Sequence, residues 1–209
     1  MSKRSLLALE LILVFVAPPT LIFYGVLPRR PLPYLLVGFL CALVYLRKDS
    51  GFDGRTLIRW RGADGRRAVL EACALALGVL GLGVLLEPEK VLLFPQTRPG
   101  LFMLVVCLYP LLSAYPQEVI FRPFFFRRYR PLFPTDDAMI MASAFVFAFV
   151  HIIFFSPLSF LLSFIGGAVF ARRYHRTGQL LPVAIQHAIL GIAIFAFGLG
   201  HHFYHGARP

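Results

Sequence analysis

The chain has 209 residues, of which 58% are hydrophobic and 15% are charged. Soluble domains carry about 25% charged residues, so this composition excludes an ordinary water-soluble protein. The net charge of +11 would suggest a nucleic-acid-binding protein if the basic residues shared one surface. They are instead spread over the segments that join apolar stretches, and no nucleic-acid partner is expected.

Seven apolar stretches predict seven membrane-spanning helices, because about 20 residues of helix cross the hydrocarbon core of a bilayer. We therefore predict an all-α, polytopic membrane bundle that forms a single domain over residues 1–209 in a lipid bilayer. The first stretch is interpreted as a retained helix and not as a cleaved signal peptide. No oligomeric state is predicted. The stretches are residues 5–27, 32–46, 69–86, 101–126, 138–155, 157–171 and 180–200.

The basic residues are unevenly divided between alternate connecting segments. Cytoplasmic segments of membrane proteins carry an excess of Lys and Arg. If the N-terminus is cytoplasmic, 15 of the 21 basic residues lie inside and five lie outside. This bias predicts a protein of the bacterial inner (cytoplasmic) membrane with its C-terminus outside. The inner residues fall in 3–4, 47–67, 127–130 and 172–176, and the outer ones in 29–30, 90–98 and 208.

One sizeable polar segment, RKDSGFDGRTLIRWRGADGRR, separates the second and third stretches. Its apolar side chains, Leu57, Ile58 and Trp60, predict a short helix at the membrane surface.

Small residues recur every four positions in the sixth stretch, at Ser159, Ser163 and Gly167. Small side chains at this spacing let helices approach closely in lipid. They predict tight helix packing within the chain.

Four ionisable residues lie deep in three different apolar stretches. Glu118 and Arg122 stand four residues apart in YPQEVIFRPFFF, and His151 and His187 each lie in a later stretch. Ionisable groups are costly in a bilayer and usually mark function there. The four residues together predict a hydrolytic site within the membrane. Because residues at i and i+4 share a helix face, a purely structural ion pair between Glu118 and Arg122 is the alternative.

Three prolines surround this acid and its arginine, namely Pro110, Pro116 and Pro123. Each proline removes a backbone donor, and the freed carbonyl must then bond to protein or water. A helix broken on either side of Glu118 would indicate a water-containing cavity beside this residue. An ordinary kinked helix is the alternative.

Three short motifs occur in order on separate stretches: Gln-Glu-Val-Ile-Phe-Arg from Gln117, Phe-Ala-Phe-Val-His from Phe147, and His-Ala-Ile-Leu-Gly ending at Gly191. This order resembles the CAAX-protease and bacteriocin-processing family of intramembrane endopeptidases. The pattern of that family is Glu-Glu-x-x-x-Arg, Phe-x-x-x-His and His-x-x-x-Asn, and the resemblance covers about residues 101–200. The chain also resembles a bacterial branch of this family with Gln-Glu in the first motif.

The resemblance implies hydrolysis of a peptide bond in a membrane-anchored protein or peptide. In the implied mechanism, Glu118 takes a proton from water with assistance from His151. His187 donates to the developing oxyanion, and Arg122 holds Glu118 in place. The resemblance also implies supporting roles for Gln117, Phe147 and Gly191.

Two residues depart from the family pattern. Gln117 replaces the first glutamate, which in the family acts on water with the middle histidine, and Gly191 replaces the asparagine that helps to stabilise the oxyanion. A catalytically silent family member, acting as a membrane binding or immunity-type protein, is therefore an alternative. A small proton-coupled transporter is a second alternative.

No cofactor is predicted, although a metal is an open alternative. One carboxylate and two histidines are the ligands of several catalytic zinc sites, so zinc at the ionisable residues above is possible. The sequence GLGHHFYHG holds His201, His202 and His205. We interpret it as an aromatic belt at the membrane interface, with Phe203 and Tyr204, and a metal site is the alternative there too.

Overall fold

A computed structural model describes residues 2–204 as helices and connecting turns, with no β-strand among them. The predicted all-α membrane bundle is confirmed. Seven long helices, α1 to α7 in chain order, correspond to the seven predicted stretches. They are Lys3–Phe23, Pro31–Lys48, Gly62–Leu86, Pro99–Leu132, Asp136–Phe154, Pro157–Thr177 and Leu180–Ala196.

Within residues 2–204, five helices are long and apolar enough to cross a membrane. These are α1 to α5, where α3 is counted together with the turn from Gly54 that precedes it. The count is lower than the seven spans predicted. Helix α6 carries Arg172 and Arg173 near its end, and α7 is apolar but has 17 residues.

The helices alternate in direction, so the bundle has two ends. At the end where α1 begins, the Arg4 side chain donates to the carbonyl oxygen of Leu132 at 2.9 Å. At the opposite end, where α7 finishes, the backbone N–H of Leu92 donates to the carbonyl oxygen of Ala196 at 2.9 Å. We call these the N-terminal end and the C-terminal end of the bundle. The side of the membrane that each end faces stays a prediction.

Helix α4 runs through its prolines without a break. It widens into π-helical turns at Pro110–Ala114 and Ile120–Phe124, and the α-helical segment Tyr115–Val119 lies between them. The helix is therefore not broken beside Glu118. A missing N–H removes one i→i−4 bond, and the wider i→i−5 pattern of a π-turn can absorb that loss without ending the helix. Such turns are frequent at functional sites.

The small residues of α6 pack against α5, as predicted. Ser159 and Ser163 are buried. A Cβ atom added at Gly167 would lie 3.2 Å from the Cα of Ala144 and 3.1 Å from the Phe147 ring. This close approach places α6 against the Phe147 ring.

The predicted surface helix between the second and third stretches is reduced to one 3₁₀ turn, Gly54–Leu57. Ile58 is 70% exposed and Trp60 is 42% exposed. Helix α3 already begins at Gly62, seven residues before the predicted boundary. The charged residues at the start of α3 hid this extension, because hydropathy alone ends an apolar stretch at the first cluster of arginines.

Candidate active site

Glu118 and Arg122 form a fully buried ion pair in the middle of α4. Both side chains are 0% exposed, and Arg122 Nε donates to Glu118 Oε2 at 2.7 Å. Arg122 Nη1 also donates to Ser143 Oγ on α5 at 2.7 Å, and that hydroxyl donates to the carbonyl oxygen of Phe121 at 2.8 Å. The guanidinium therefore links two helices, and its position is fixed from two directions.

His187, on α7, makes the second bond to the same carboxylate. Its Nδ1 lies 2.8 Å from Glu118 Oε1, so Nδ1–H donates to the carboxylate. The imidazole stacks on the Phe170 ring, with centroids 5.0 Å apart, and meets the edge of the Phe147 ring at 5.5 Å. A carboxylate that accepts from both a guanidinium and an imidazole makes charge-assisted hydrogen bonds, which are among the strongest in proteins.

Tyr109 extends this network, and sequence reasoning missed it. Its hydroxyl oxygen lies 3.0 Å from His187 Nε2. A Cβ atom at Gly191, one turn after His187 on α7, would overlap the Tyr109 ring and its hydroxyl. The glycine therefore makes room for the tyrosine. An exceptional glycine in a motif is a signal of close approach, but the sequence does not reveal which side chain approaches.

His151 lies near this network but does not join it through a hydrogen bond between described residues. It is 9% exposed and lies in the 3₁₀ turn that ends α5. Its Nδ1 donates to the carbonyl oxygen of Phe147 at 2.7 Å. The Phe147 ring contacts both histidines, with centroid distances of 4.9 Å to His151 and 5.5 Å to His187. The structure thus brings Glu118, Arg122 and His187 together and holds His151 at the same phenylalanine.

Gln117 faces its own helix. Its Nε2 donates to Ser113 Oγ, one turn earlier on α4, at 2.8 Å. Among residues 2–204, no group bonds to the buried Oε1 of Gln117 or to the buried Nη2 of Arg122. Most buried polar atoms are hydrogen-bonded, so these two atoms keep bonding capacity that a water or a substrate group can use.

The aromatic belt predicted for the histidines after α7 stays a prediction. Phe203 lies inward against the His151 ring, with centroids 6.0 Å apart, whereas Tyr204 is 65% exposed. His201 and His202 contact each other at a centroid distance of 4.0 Å. His205 lies outside the described residues.

A carboxylate, two histidines, a guanidinium and a phenol inside an apolar helical bundle define a polytopic membrane protein with a polar centre suited to hydrolysis. Comparison with protein families is consistent with this class: residues 99–193 match the family model described as type II CAAX prenyl endopeptidase Rce1-like. Over these residues, from α4 into α7, the match supports the resemblance to the CAAX-protease and bacteriocin-processing family. The long apolar helices and this match support an integral membrane protein. No curated protein and no solved structure matches it.

Proposed function

We propose that the chain is an intramembrane endopeptidase that hydrolyses a peptide bond in a membrane-anchored protein or peptide. The observation that carries this proposal is the hydrogen-bonded series Arg122, Glu118, His187 and Tyr109. All four residues lie within the region that matches the endopeptidase family. A dry surround strengthens the electrostatic interactions of such a series with reacting groups.

His151 is the proton acceptor in the proposed first step. Because its Nδ1–H is bonded to the carbonyl oxygen of Phe147, the neutral ring presents a lone pair at Nε2. The Nε2 atom takes a proton from a water molecule, whose oxygen forms a bond to the peptide carbonyl carbon. The motif alone assigned this role to Glu118 with assistance from His151. Both oxygens of Glu118 already accept hydrogen bonds from cations or imidazole, which favours an orienting role for it.

His187 and Tyr109 stabilise the oxyanion in this proposal. When His187 is protonated, the Glu118 carboxylate neutralises its charge through Nδ1, and Nε2–H donates to the substrate oxygen. The Tyr109 hydroxyl, 3.0 Å from that Nε2, supplies the second donor. Preorganised donors of this kind commonly contribute about 10²–10³ in rate each.

The second step restores the groups to their first state. The oxyanion re-forms the carbonyl, the bond from carbon to the peptide nitrogen breaks, and His151 returns its proton to the leaving amine. Arg122 takes no part in these proton transfers. Its bonds to Glu118 and Ser143 keep the carboxylate and hence His187 in position.

The proposal is tested by comparing protein termini in host membranes that contain the wild type, Glu118→Gln, His151→Ala or His187→Ala. New termini on a few membrane-anchored proteins are expected with the wild type and with none of the three variants. His175→Gln is the matched control, because His175 pairs with Asp136 at 3.4 Å and lies at the N-terminal end of the bundle. It should preserve the wild-type termini.

Identical termini in all membranes, with stably expressed variants, would show that the chain does not cleave proteins there. The catalytically silent binding protein would then be the better account. A pH-dependent solute flux in liposomes that disappears in Glu118→Gln would support the transporter instead.

A further inference from the structure

A second group of chemically active side chains lies at the C-terminal end of the bundle, outside the candidate active site. Glu87 caps the end of α3, and His201 and His202 lie in the 3₁₀ turn that follows α7. In the described part of the chain, they are the group of three His, Cys, Asp or Glu residues whose possible ligand atoms lie within 4.8 Å of one another. Nothing in the proposed hydrolysis uses them.

The distances in this group approach those of a tetrahedral metal centre. Ligand bonds of about 2.0–2.1 Å to zinc place neighbouring ligand atoms about 3.3 Å apart. The Nε2 atom of His201 lies 3.3 Å from Glu87 Oε1, and that of His202 lies 4.0 Å from the same oxygen. All three ligand atoms lie within 4.8 Å of one another, so side-chain shifts of about 1 Å would bring them to bonding distance of one ion.

The other nitrogen of each imidazole has the partner that a metal-binding histidine requires. Nδ1 of His201 donates to the carbonyl oxygen of Gly198 at 3.1 Å. Nδ1 of His202 lies 2.8 Å from Ser156 Oγ, a helix-capping oxygen that also accepts from the N–H of Ser159. Ligand histidines almost always donate their second N–H to an oxygen, which fixes the tautomer and turns the ring towards the metal. These bonds direct both Nε2 atoms towards Glu87.

Lys90 bonds to Glu87 without covering the oxygen that faces the histidines. Its ammonium lies 2.7 Å from Oε2, whereas Oε1 is the atom that the two imidazoles approach. The two carboxylate oxygens are therefore divided between a lysine and the imidazoles. Because Lys90 is 41% exposed, it can move into solvent when a cation binds.

We infer that Glu87, His201 and His202 bind Zn²⁺. Two imidazoles and one carboxylate are a zinc ligand set, with a water molecule as the fourth ligand. The ion would join the end of α3 to the turn after α7, and through Ser156 to the start of α6. It would also fix the turn that places Phe203 against His151.

The experiment uses the full-length protein without a histidine tag, purified in detergent and stripped with a chelator. Zinc is titrated against a coloured chelator, and the melting temperature is measured with and without zinc. We expect one zinc per chain and a higher melting temperature when it is bound. Glu87→Gln and His201→Gln should each weaken binding at least about tenfold and abolish the shift in melting temperature.

Two controls separate this site from binding by a histidine-rich sequence. His175→Gln removes another histidine that lies beside a carboxylate and should leave zinc affinity unchanged. Glu87 is remote in sequence from the histidines, so only a folded site can depend on it. The inference is overturned if Glu87→Gln binds zinc as tightly as the wild type, or if the wild type binds none. Since the readouts are affinity and melting temperature, either result is independent of proteolysis.

Discussion

Replacement of Tyr109 by phenylalanine tests the proposed oxyanion site most directly. The change removes the hydroxyl that lies 3.0 Å from His187 Nε2 and keeps the ring that fills the space beside Gly191. Loss of one oxyanion donor should lower turnover about 10²–10³-fold. Loss of the hydrogen bond should lower the free energy of unfolding by only about 0.5–1.5 kcal/mol, so the variant should remain folded.

Gly191→Ala should impair the same donor by a different route. The added Cβ overlaps the Tyr109 ring and hydroxyl, so the ring must move away from His187. Overpacking of this kind costs about 1–3 kcal/mol. In a Tyr109→Ala background the overlap disappears, and Gly191→Ala should then have little further effect on stability. The two sites are in contact, so their effects should not be additive.

A donor exchange completes the test. Tyr109→Ala leaves space beside α7, and Gly191→Asn in that background returns an amide donor from the family's usual position. We expect the double variant to cleave at least about tenfold faster than Tyr109→Ala alone, since one restored donor contributes about 10²–10³ when well placed. The assay is the rate of appearance of the wild-type termini, normalised to folded protein by melting temperature.

Two results would refute this reasoning. Wild-type turnover in Tyr109→Phe would show that the hydroxyl does not contribute to the reaction. Wild-type turnover in Gly191→Ala, at unchanged stability, would show that the position of the Tyr109 ring is unimportant. Tyr109→Trp is not a useful control, because a larger ring would create a new overlap with α7.

Three further predictions follow from other contacts. Arg122→Lys should lower turnover, because an ammonium cannot reproduce the guanidinium fork that bonds to both Glu118 and Ser143. The cleavage rate measures this loss, and the melting temperature shows whether the variant is folded. Arg122→Met should lower the free energy of unfolding by about 3–5 kcal/mol in a denaturant titration, because it leaves the buried Glu118 carboxylate without its cation. At the surface, the hydrogen bond from Arg127 lowers the pKa of Asp49. The ionised Asp49 carboxylate therefore stabilises the fold at neutral pH, and this contribution is lost as the pH falls through the lowered pKa. Hydrogen exchange at the Gly51 amide, which bonds to Asp49, should lose protection in acid, and Asp49→Asn should remove this dependence.

The positions of the helices could be predicted from hydropathy because every helix that faces lipid must be apolar over most of its length. Their ends were less predictable. Helix α3 begins at Gly62, where the sequence is rich in arginine, and such residues at a membrane interface have no hydropathy signal. The path of α4 could not be predicted, because the effect of Pro116 depends on whether the backbone can form a π-turn next to it.

The core of the site was partly predictable for a local reason. Glu118 and Arg122 lie one helical turn apart, so the sequence alone brings them into contact. The bond from His187 to Glu118 depends on how α4 and α7 pack, and it was not predicted. The resemblance implied only that both residues act in one site. Tyr109 and Glu87 were missed because their partners lie far along the chain, and neither residue belongs to a recognisable motif.

The two departures from the family pattern have different consequences in this structure. At Gly191, the family's asparagine is absent from α7, and the Tyr109 hydroxyl from α4 lies in the space that its side chain would enter. One hydrogen-bond donor beside His187 is therefore replaced by another. At Gln117, the side-chain amide bonds to Ser113 and supplies no negative charge. In the proposed mechanism the proton acceptor is therefore His151, whose Nε2 lone pair is fixed by the bond at Nδ1. His151→Gln should therefore abolish the appearance of new protein termini, whereas Gln117→Ala should slow it much less.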